Sequence, residues 1–124
     1  MKNYKDLIVW KKAHALVLSV YRYTSVFPKI EQYHLTSQLR RAATSVPTNL
    51  AEGSGKFTQA DFARYIQISL GSAHEMEYLT FLSYELGYIN DGQYKLLHEQ
   101  TSEVKAMLIG LVNKVRKDSS ISKG

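Results

Sequence analysis

The sequence predicts an all-α protein that folds as an up-down-up-down four-helix bundle, with helix two kinked at a proline. Its apolar residues recur at intervals of three and four, which is the spacing of one helix face. Only two prolines occur in the 124 residues, so long helices are permitted. No segment carries the signals of a strand. A helical hairpin that dimerises is the competing interpretation, and it would also build a bundle.

Helix one is predicted to have an unusually wide apolar face. One stripe consists of Leu7, Trp10, His14, Val17, Tyr21 and Thr24, and an adjacent stripe consists of Val9, Ala13, Leu16, Val20, Tyr23 and Phe27. A face of this width contacts more than one neighbour. Trp10 is therefore predicted to be an anchor in an interface or in the core, and His14 a core histidine bonded to a backbone group. Pro28 is predicted to end the helix, because the residue before a proline is disfavoured in the α region.

Helix two is predicted to begin near Thr36, as its N-cap, and to run to about Glu52. Pro47 lies inside this segment and removes the hydrogen bond to the carbonyl of Ala43. Because helical spacing continues on both sides of Pro47, we expect one kinked helix rather than two.

Helix three is predicted to start after Thr58, which acts as the N-cap with Asp61 three residues later. It should run to Leu86, with Gly87 as the residue that follows the C-cap. A patch of small residues near its middle, made of Ser69, Gly71, Ser72 and Ala73, would allow a neighbouring helix to approach closely.

Helix four is predicted to be capped by Asn90 together with Gln93. Its basic C-terminal residues suit the negative end of the helix dipole. Residues 1–117 are thus predicted to form a single four-helix-bundle domain, and residues 118–124 a flexible C-terminal tail.

The composition excludes several classes of site. The sequence contains no cysteine, which excludes disulfides, thiolate metal sites and cysteine nucleophiles. No apolar segment approaches the roughly 20 residues that cross a bilayer, and the N-terminus has no signal-peptide core. We therefore expect a cytoplasmic protein with no membrane partner.

Positive charge is concentrated in the first half of the chain. Residues 1–64 contain ten Lys/Arg and four Asp/Glu, whereas the remainder contains six and seven. A basic half can contact nucleic acid, although a simply solvated surface is the alternative. Arg40 and Arg41 are consecutive on a helix, so they point about 100° apart and at least one should reach an outer surface. With Lys56 and Arg64 near the next turn, they are predicted to form a basic rim that binds nucleic acid, unless they pair with Glu52, Glu75 or Glu77.

The sequence Gly53-Ser54-Gly55-Lys56 looks like the end of a phosphate-binding loop but fails its other requirements. The motif G-x-x-x-x-G-K-[ST] needs a glycine where Leu50 stands, and a serine or threonine where Phe57 stands. It also follows a strand, whereas the preceding segment is predicted to be helical. We therefore interpret this stretch as the connection between helices two and three, with Gly53 or Gly55 left-handed to close helix two.

Other chemistry-bearing patterns are weak. Glu31 and His34 fit Glu-x-x-His once, whereas a di-iron bundle needs this motif twice, so we expect no metal and no cofactor. No Ser-His-Asp arrangement is recognisable. The nine tyrosines could stack on bases but are interpreted first as core and interface residues. No catalytic residue is assigned, and the protein is not expected to be an enzyme.

The order of motifs along the chain nevertheless resembles a known family. The matching stretches are Asp6-Leu7-x-Val9-Trp10, Phe27-Pro28-x-x-Glu31-x-Tyr33-x-Leu35-x-x-Gln38-Leu39-Arg40-Arg41-Ala42, Ser45-Val46-Pro47-x-Asn49-Leu50-Ala51-Glu52-Gly53 and Gly71-Ser72-x-x-Glu75-x-Glu77. They resemble the 23S rRNA intervening-sequence protein family, also called the bacterial four-helix-bundle protein family, over about residues 4 to 115. "SVPTNLAEG" and "GSAHEME" are the most specific stretches.

The resemblance implies a left-turning bundle of four long helices and a ring-like homo-oligomer, with a pentamer preferred. The architecture is also similar to the accessory variability protein of diversity-generating retroelements, a basic barrel that contacts nucleic acid and a reverse transcriptase. Some family members are encoded inside insertions in ribosomal RNA genes, which implies a role with RNA. The leading hypothesis is a homo-oligomeric module that binds RNA or DNA. A structural or protein-interaction scaffold without nucleic-acid binding is the alternative.

Overall fold

Four antiparallel helices form the protein, in agreement with the predicted fold. A computed structural model describes the backbone of residues 3–123 and the side chains of residues 3–119. The helices are α1 (Ile8–Thr24), α2 (Leu35–Ser54), α3 (Gln59–Glu85) and α4 (Asp91–Lys123), and the described residues contain no strand. Each helix packs against its neighbours in chain order and α1 closes on α4, whereas no Cα atoms of the diagonal pairs come within 8 Å of each other in the described part. This arrangement is an up-down-up-down bundle.

The core is built from one apolar stripe of each helix. Leu16, Leu39, Ile66 and Leu108, one from each helix, are at most 1% exposed. On α1 the fully buried stripe is the one that contains Val9, Ala13, Leu16 and Val20. The other stripe of α1 lies at the edge of the core, and this wide face is therefore only half covered within one chain.

Two expectations for α1 are wrong. His14 is exposed rather than buried in the core. It belongs to the stripe of α1 at the edge of the core, where it lines the open groove between α1 and α2. The helix also ends at Thr24, before Pro28. The Thr24 hydroxyl donates to the Val20 carbonyl at 2.7 Å, and the Phe27 N–H donates to the Thr24 carbonyl at 3.0 Å, so the chain turns three residues before the proline.

Helix α2 begins at Leu35, and its N-cap is His34 rather than the predicted Thr36. No His34 side-chain bond caps it; instead the Glu31 carboxylate accepts from the Leu35 N–H at 3.4 Å. Thr36 lies in the first turn and faces inward. The helix continues through Pro47 without a break, as expected, while the kink itself stays a prediction.

The connection between α2 and α3 closes without a left-handed glycine, contrary to the prediction. Gly55 is the C-cap with φ of −86° and Gly53 lies inside α2; among the described residues only Gly87 has positive φ. Close packing against α3, rather than a left-handed conformation, explains the glycine at position 53. An added Cβ there would lie 2.7 Å from the Cβ of Tyr65 and 3.0 Å from a ring carbon of Phe62, so Gly53 is where α3 approaches α2 closely.

The ends of α3 and α4 agree with the sequence. Thr58 accepts from the Asp61 N–H at 3.1 Å to cap α3. Asn90 and Gln93 exchange hydrogen bonds of 2.8 and 2.9 Å, which form the capping box of α4. Gly87 follows the α3 C-cap with φ of 80°.

The predicted flexible tail, residues 118–124, falls partly outside the described residues. The backbone of 118–123 continues α4, whereas Gly124 and the side chains of 120–124 are not described. Its flexibility stays a prediction.

Candidate nucleic-acid interface

Arg40 is held in place by two partners on α1. Its guanidinium carbon lies 4.6 Å from the centroid of the Tyr21 ring, within the range of a cation–π contact. Its Nε donates to the Thr24 hydroxyl at 2.8 Å. Thr24 is buried and Arg40 is half-buried, so these two contacts fix the position of a partly accessible guanidinium.

A cleft of about 440 Å³ lies beside this arginine, where α2 begins. Its lining includes Tyr21, Gln32, Tyr33, Thr36, Arg40 and Arg41, and no carboxylate lines it. Arg41 is exposed, as expected for one member of a consecutive arginine pair. Tyr33 is 83% exposed and Tyr21 is 43% exposed. The cleft thus combines two arginines with two accessible aromatic rings.

A second basic group lies at the opposite end of α2. Lys56 Nζ is 5.2 Å and the Arg64 guanidinium carbon 5.3 Å from the centroid of the same ring, that of Tyr65. Lys56 and Arg64 are exposed, and Tyr65 is half-buried. Two cations on one tyrosine form a compact positive patch at the turn between α2 and α3.

The four predicted basic residues therefore form two patches in one chain rather than one rim. Arg40 lies near the start of α2 and Lys56 lies two residues past its end, sixteen positions later. At 1.5 Å per residue, their backbones are roughly 20 Å or more apart along the helix axis. We call the first, with its tyrosines, the Tyr-Arg cleft (Tyr21, Tyr33, Thr36, Arg40, Arg41) and the second the turn patch (Lys56, Arg64, Tyr65).

Neither patch is neutralised by the glutamates that the sequence offered as partners. Between described residues, no ion pair joins Arg40 or Arg41 to Glu52, Glu75 or Glu77.

The ion pairs that do form use lysines. Lys105 Nζ lies 2.9 Å from Glu77 Oε2, and Lys12 Nζ lies 3.1 Å from Glu103 Oε1. The hydrogen bond from Lys105 holds the pKa of the Glu77 carboxyl below its usual value, against a smaller opposing effect of burial. Glu77 thus stabilises the packing of α3 on α4 and leaves the arginines of α2 unpaired.

A family model for the 23S rRNA-intervening sequence protein matches residues 5–110. The chain belongs to this family. A similar solved structure is the crystal structure of a protein of unknown function from the S23 ribosomal protein family of Bacteroides thetaiotaomicron VPI-5482. It is 24% identical, covers 85% of this chain and 98% of its own, and has a TM-score of 0.78, which shows a shared fold. A search of curated proteins finds no match.

The stretches that carry the resemblance to the 23S rRNA-intervening sequence proteins lie mainly in the packing of α2 on α3. Ser45 of "SVPTNLAEG" and Ser72 of "GSAHEME" share a hydrogen bond of 2.8 Å. Ser69 donates to the Val46 carbonyl at 2.9 Å. Gly71 instead faces solvent, with nothing within 4 Å of an added Cβ. These two stretches therefore contribute to the packing of α2 on α3, whereas Arg40 and Arg41 belong to a third stretch of the resemblance, at the start of α2.

Trp10 is half-buried at the edge of the core. It stacks on His14 with ring centroids 5.1 Å apart, and the Tyr4 ring meets it edge-on at 5.0 Å. Together with Val17 and Pro47 it lines an open groove of about 390 Å³ between α1 and α2. Within one chain Trp10 packs against the core, and its role as an interface anchor stays a prediction.

Sequence reasoning missed the aromatic members of the two patches. None of the nine tyrosines is fully buried, although most were assigned to the core or to seams. Tyr21 and Arg40 belong to different helices, so no local spacing indicates their contact. The one available signal was Tyr33, which precedes α2 in a polar segment where no core position is expected.

Among the residues that the structure describes, no helix combines the length and the apolar character needed to cross a membrane. No cluster of three or more His, Asp or Glu side chains among them is arranged to hold a metal ion.

Proposed function

We propose that this protein is a non-enzymatic, homo-oligomeric binding module of the cytoplasm that contacts nucleic acid, RNA in particular, through its basic surface. The observation that carries the proposal is that three basic side chains are positioned by aromatic rings and are not paired with carboxylates. Arg40, Lys56 and Arg64 are each held against a tyrosine ring at 4.6 to 5.3 Å, and none of them pairs with a described carboxylate. Cations that are positioned but not neutralised are suited to phosphates.

The half-covered surface of the bundle supports the homo-oligomeric part of the proposal. Large apolar side chains are exposed on α1 and α4, among them Ile8 (64%), Leu18 (52%) and Ile109 (45%). Exposed apolar side chains that lie together are typical of an interface. A ring of subunits would repeat each basic patch around its axis and strengthen the field on a polyanion. Five subunits are preferred only because of the family resemblance.

The test is binding of RNA and DNA at several salt concentrations, with Arg40→Ala, Arg41→Ala and Lys56→Ala made separately. Each variant should weaken binding to every sequence by a similar factor, because phosphate contacts position and do not specify. Lys95→Ala is the matched control, since it removes an exposed charge from α4, the helix diagonal to α2.

The oligomeric state of each variant is measured in parallel by native mass spectrometry. Weaker binding by an intact oligomer supports the proposal. Loss of the oligomer in Arg40→Ala or Arg41→Ala would instead assign these arginines to subunit contacts. If the wild type binds neither nucleic acid at low salt, the scaffold interpretation stands.

A further inference from the structure

We propose that the Tyr-Arg cleft binds an unpaired nucleotide of a single-stranded nucleic acid, with its base stacked on Tyr33 and its phosphate held by Arg40 and Arg41. This inference rests on the proposed function and adds to it the class of ligand. The cleft is an open depression of about 440 Å³. Other grooves of the bundle have similar volumes, so the residues that line the cleft, and not its size, indicate the ligand.

The aromatic rings determine which form of nucleic acid fits. Tyr33 is 83% exposed, and no other described ring stacks on it. Bases in a duplex already stack on one another and present only their edges in the grooves. An unpaired base can be splayed out and stacked on an aromatic side chain. An accessible tyrosine beside unpaired arginines therefore favours a single strand.

The charges in the cleft are not consumed by the protein itself. Glu31 is the single acidic residue between positions 7 and 51. Its two oxygens already accept from the Leu35 N–H at 3.4 Å and from the Tyr88 hydroxyl at 2.8 Å. Neither Arg40 nor Arg41 forms an ion pair with Glu31 or with any other described carboxylate.

One side chain beside the cleft has an unused hydrogen-bonding group. Thr36 lines the cleft, is only 7% exposed, and its Oγ1 is covered and has no hydrogen-bond partner. A helical threonine has two accessible χ1 rotamers, so rotation about χ1 would bring this hydroxyl to a ligand oxygen in the cleft.

The experiment compares a short fluorescently labelled single-stranded RNA with the blunt duplex of the same sequence and length. Tyr33→Leu should weaken single-strand binding by about 5- to 160-fold, the range expected for one stacked base. It should leave duplex binding nearly unchanged. Tyr33→Phe should keep wild-type affinity, because it retains the ring. Tyr78→Leu, which removes an exposed tyrosine of α3 outside the cleft, is the matched control.

A second readout is a single strand that carries 2-aminopurine, whose emission falls when the base is stacked. The emission should fall with the wild type and Tyr33→Phe, and should stay high with Tyr33→Leu. Equal affinity of Tyr33→Leu and wild type for the single strand would overturn the inference while leaving the proposed function intact. No binding of either RNA by the wild type would instead end the proposed function.

Two other results would also overturn it. A change of oligomer mass in Tyr33→Leu would assign this ring to a subunit contact. A polyglutamate peptide of equal charge is used as a competitor. If it displaces the labelled RNA as effectively as unlabelled RNA does, the cleft binds acidic chains rather than nucleotides.

Discussion

Replacing Gly53 with alanine should destabilise the bundle, although alanine is the better helix former. Gly53 is buried within α2 where α3 packs most closely. The new Cβ would meet the Cβ of Tyr65 at 2.7 Å and a ring carbon of Phe62 at 3.0 Å. The Tyr65 Cβ is attached directly to the backbone of α3, so α3 itself must shift.

The expected magnitude follows from two opposing effects. Alanine gains about 1 kcal/mol over glycine in a helix interior, whereas overpacking a core costs about 1 to 3 kcal/mol. Because Phe62 is only 3% exposed and has little room to rotate, the cost should lie near the upper end. We therefore expect a net loss of about 1 to 2 kcal/mol in the free energy of unfolding. The melting temperature should fall by about 4 °C for each kcal/mol.

The assay is thermal and urea denaturation at fixed protein concentration, since oligomer stability depends on concentration. Gly71→Ala is the matched control, because nothing lies within 4 Å of its added Cβ. The same chemical change there should stabilise by up to about 1 kcal/mol. A Gly53→Ala variant as stable as the wild type would refute the close approach of α3 as the reason for this glycine.

Three further predictions concern the loop, the assembly and one ion pair. Calorimetric titration should detect no saturable binding of Mg-ATP or Mg-GTP; micromolar binding that is lost in Lys56→Ala would contradict the prediction that Gly53 to Lys56 is not a nucleotide-binding loop. Native mass spectrometry at micromolar concentration should give a closed homo-oligomer, and a monomer mass would exclude it. Lys105→Met should lower the melting temperature at neutral pH by an amount worth less than about 1 kcal/mol. Because Lys105 lowers the pKa of Glu77, the pair stabilises the fold above the usual carboxyl pKa, and this contribution is lost as the pH falls through the lowered value. The difference between variant and wild type should therefore vanish in acid; a difference that persists there would show that Lys105 acts through packing.

Most of the fold could be predicted because its signals are local. The caps at Thr58, Asn90 and Gly87 depend on residues within a few positions of one another. The start of α2 was misplaced because its cap uses Glu31, which binds the backbone at Leu35 without a familiar capping pattern. A cap could be predicted from the sequence when its partners are close together along the chain and follow a known capping pattern.

The candidate site could be predicted only in its charges. Consecutive arginines on a helix indicate an exposed cation, and Arg41 is exposed. Their aromatic partners were not predictable, because Tyr21 reaches Arg40 only after α1 and α2 pack together. Gly53 illustrates the same limit, since its neighbours Phe62 and Tyr65 lie across the interface with α3.

The most direct test of the central proposal is the dependence of RNA affinity on salt for the wild type and Arg41→Ala. For a single-stranded RNA, the logarithm of the association constant should fall linearly with the logarithm of salt concentration, by about 0.7 for each phosphate neutralised. Arg41→Ala should reduce this slope by roughly the contribution of one phosphate. RNA binding whose affinity does not change with salt, or no binding at the lowest salt concentration, would contradict a basic surface that contacts phosphates.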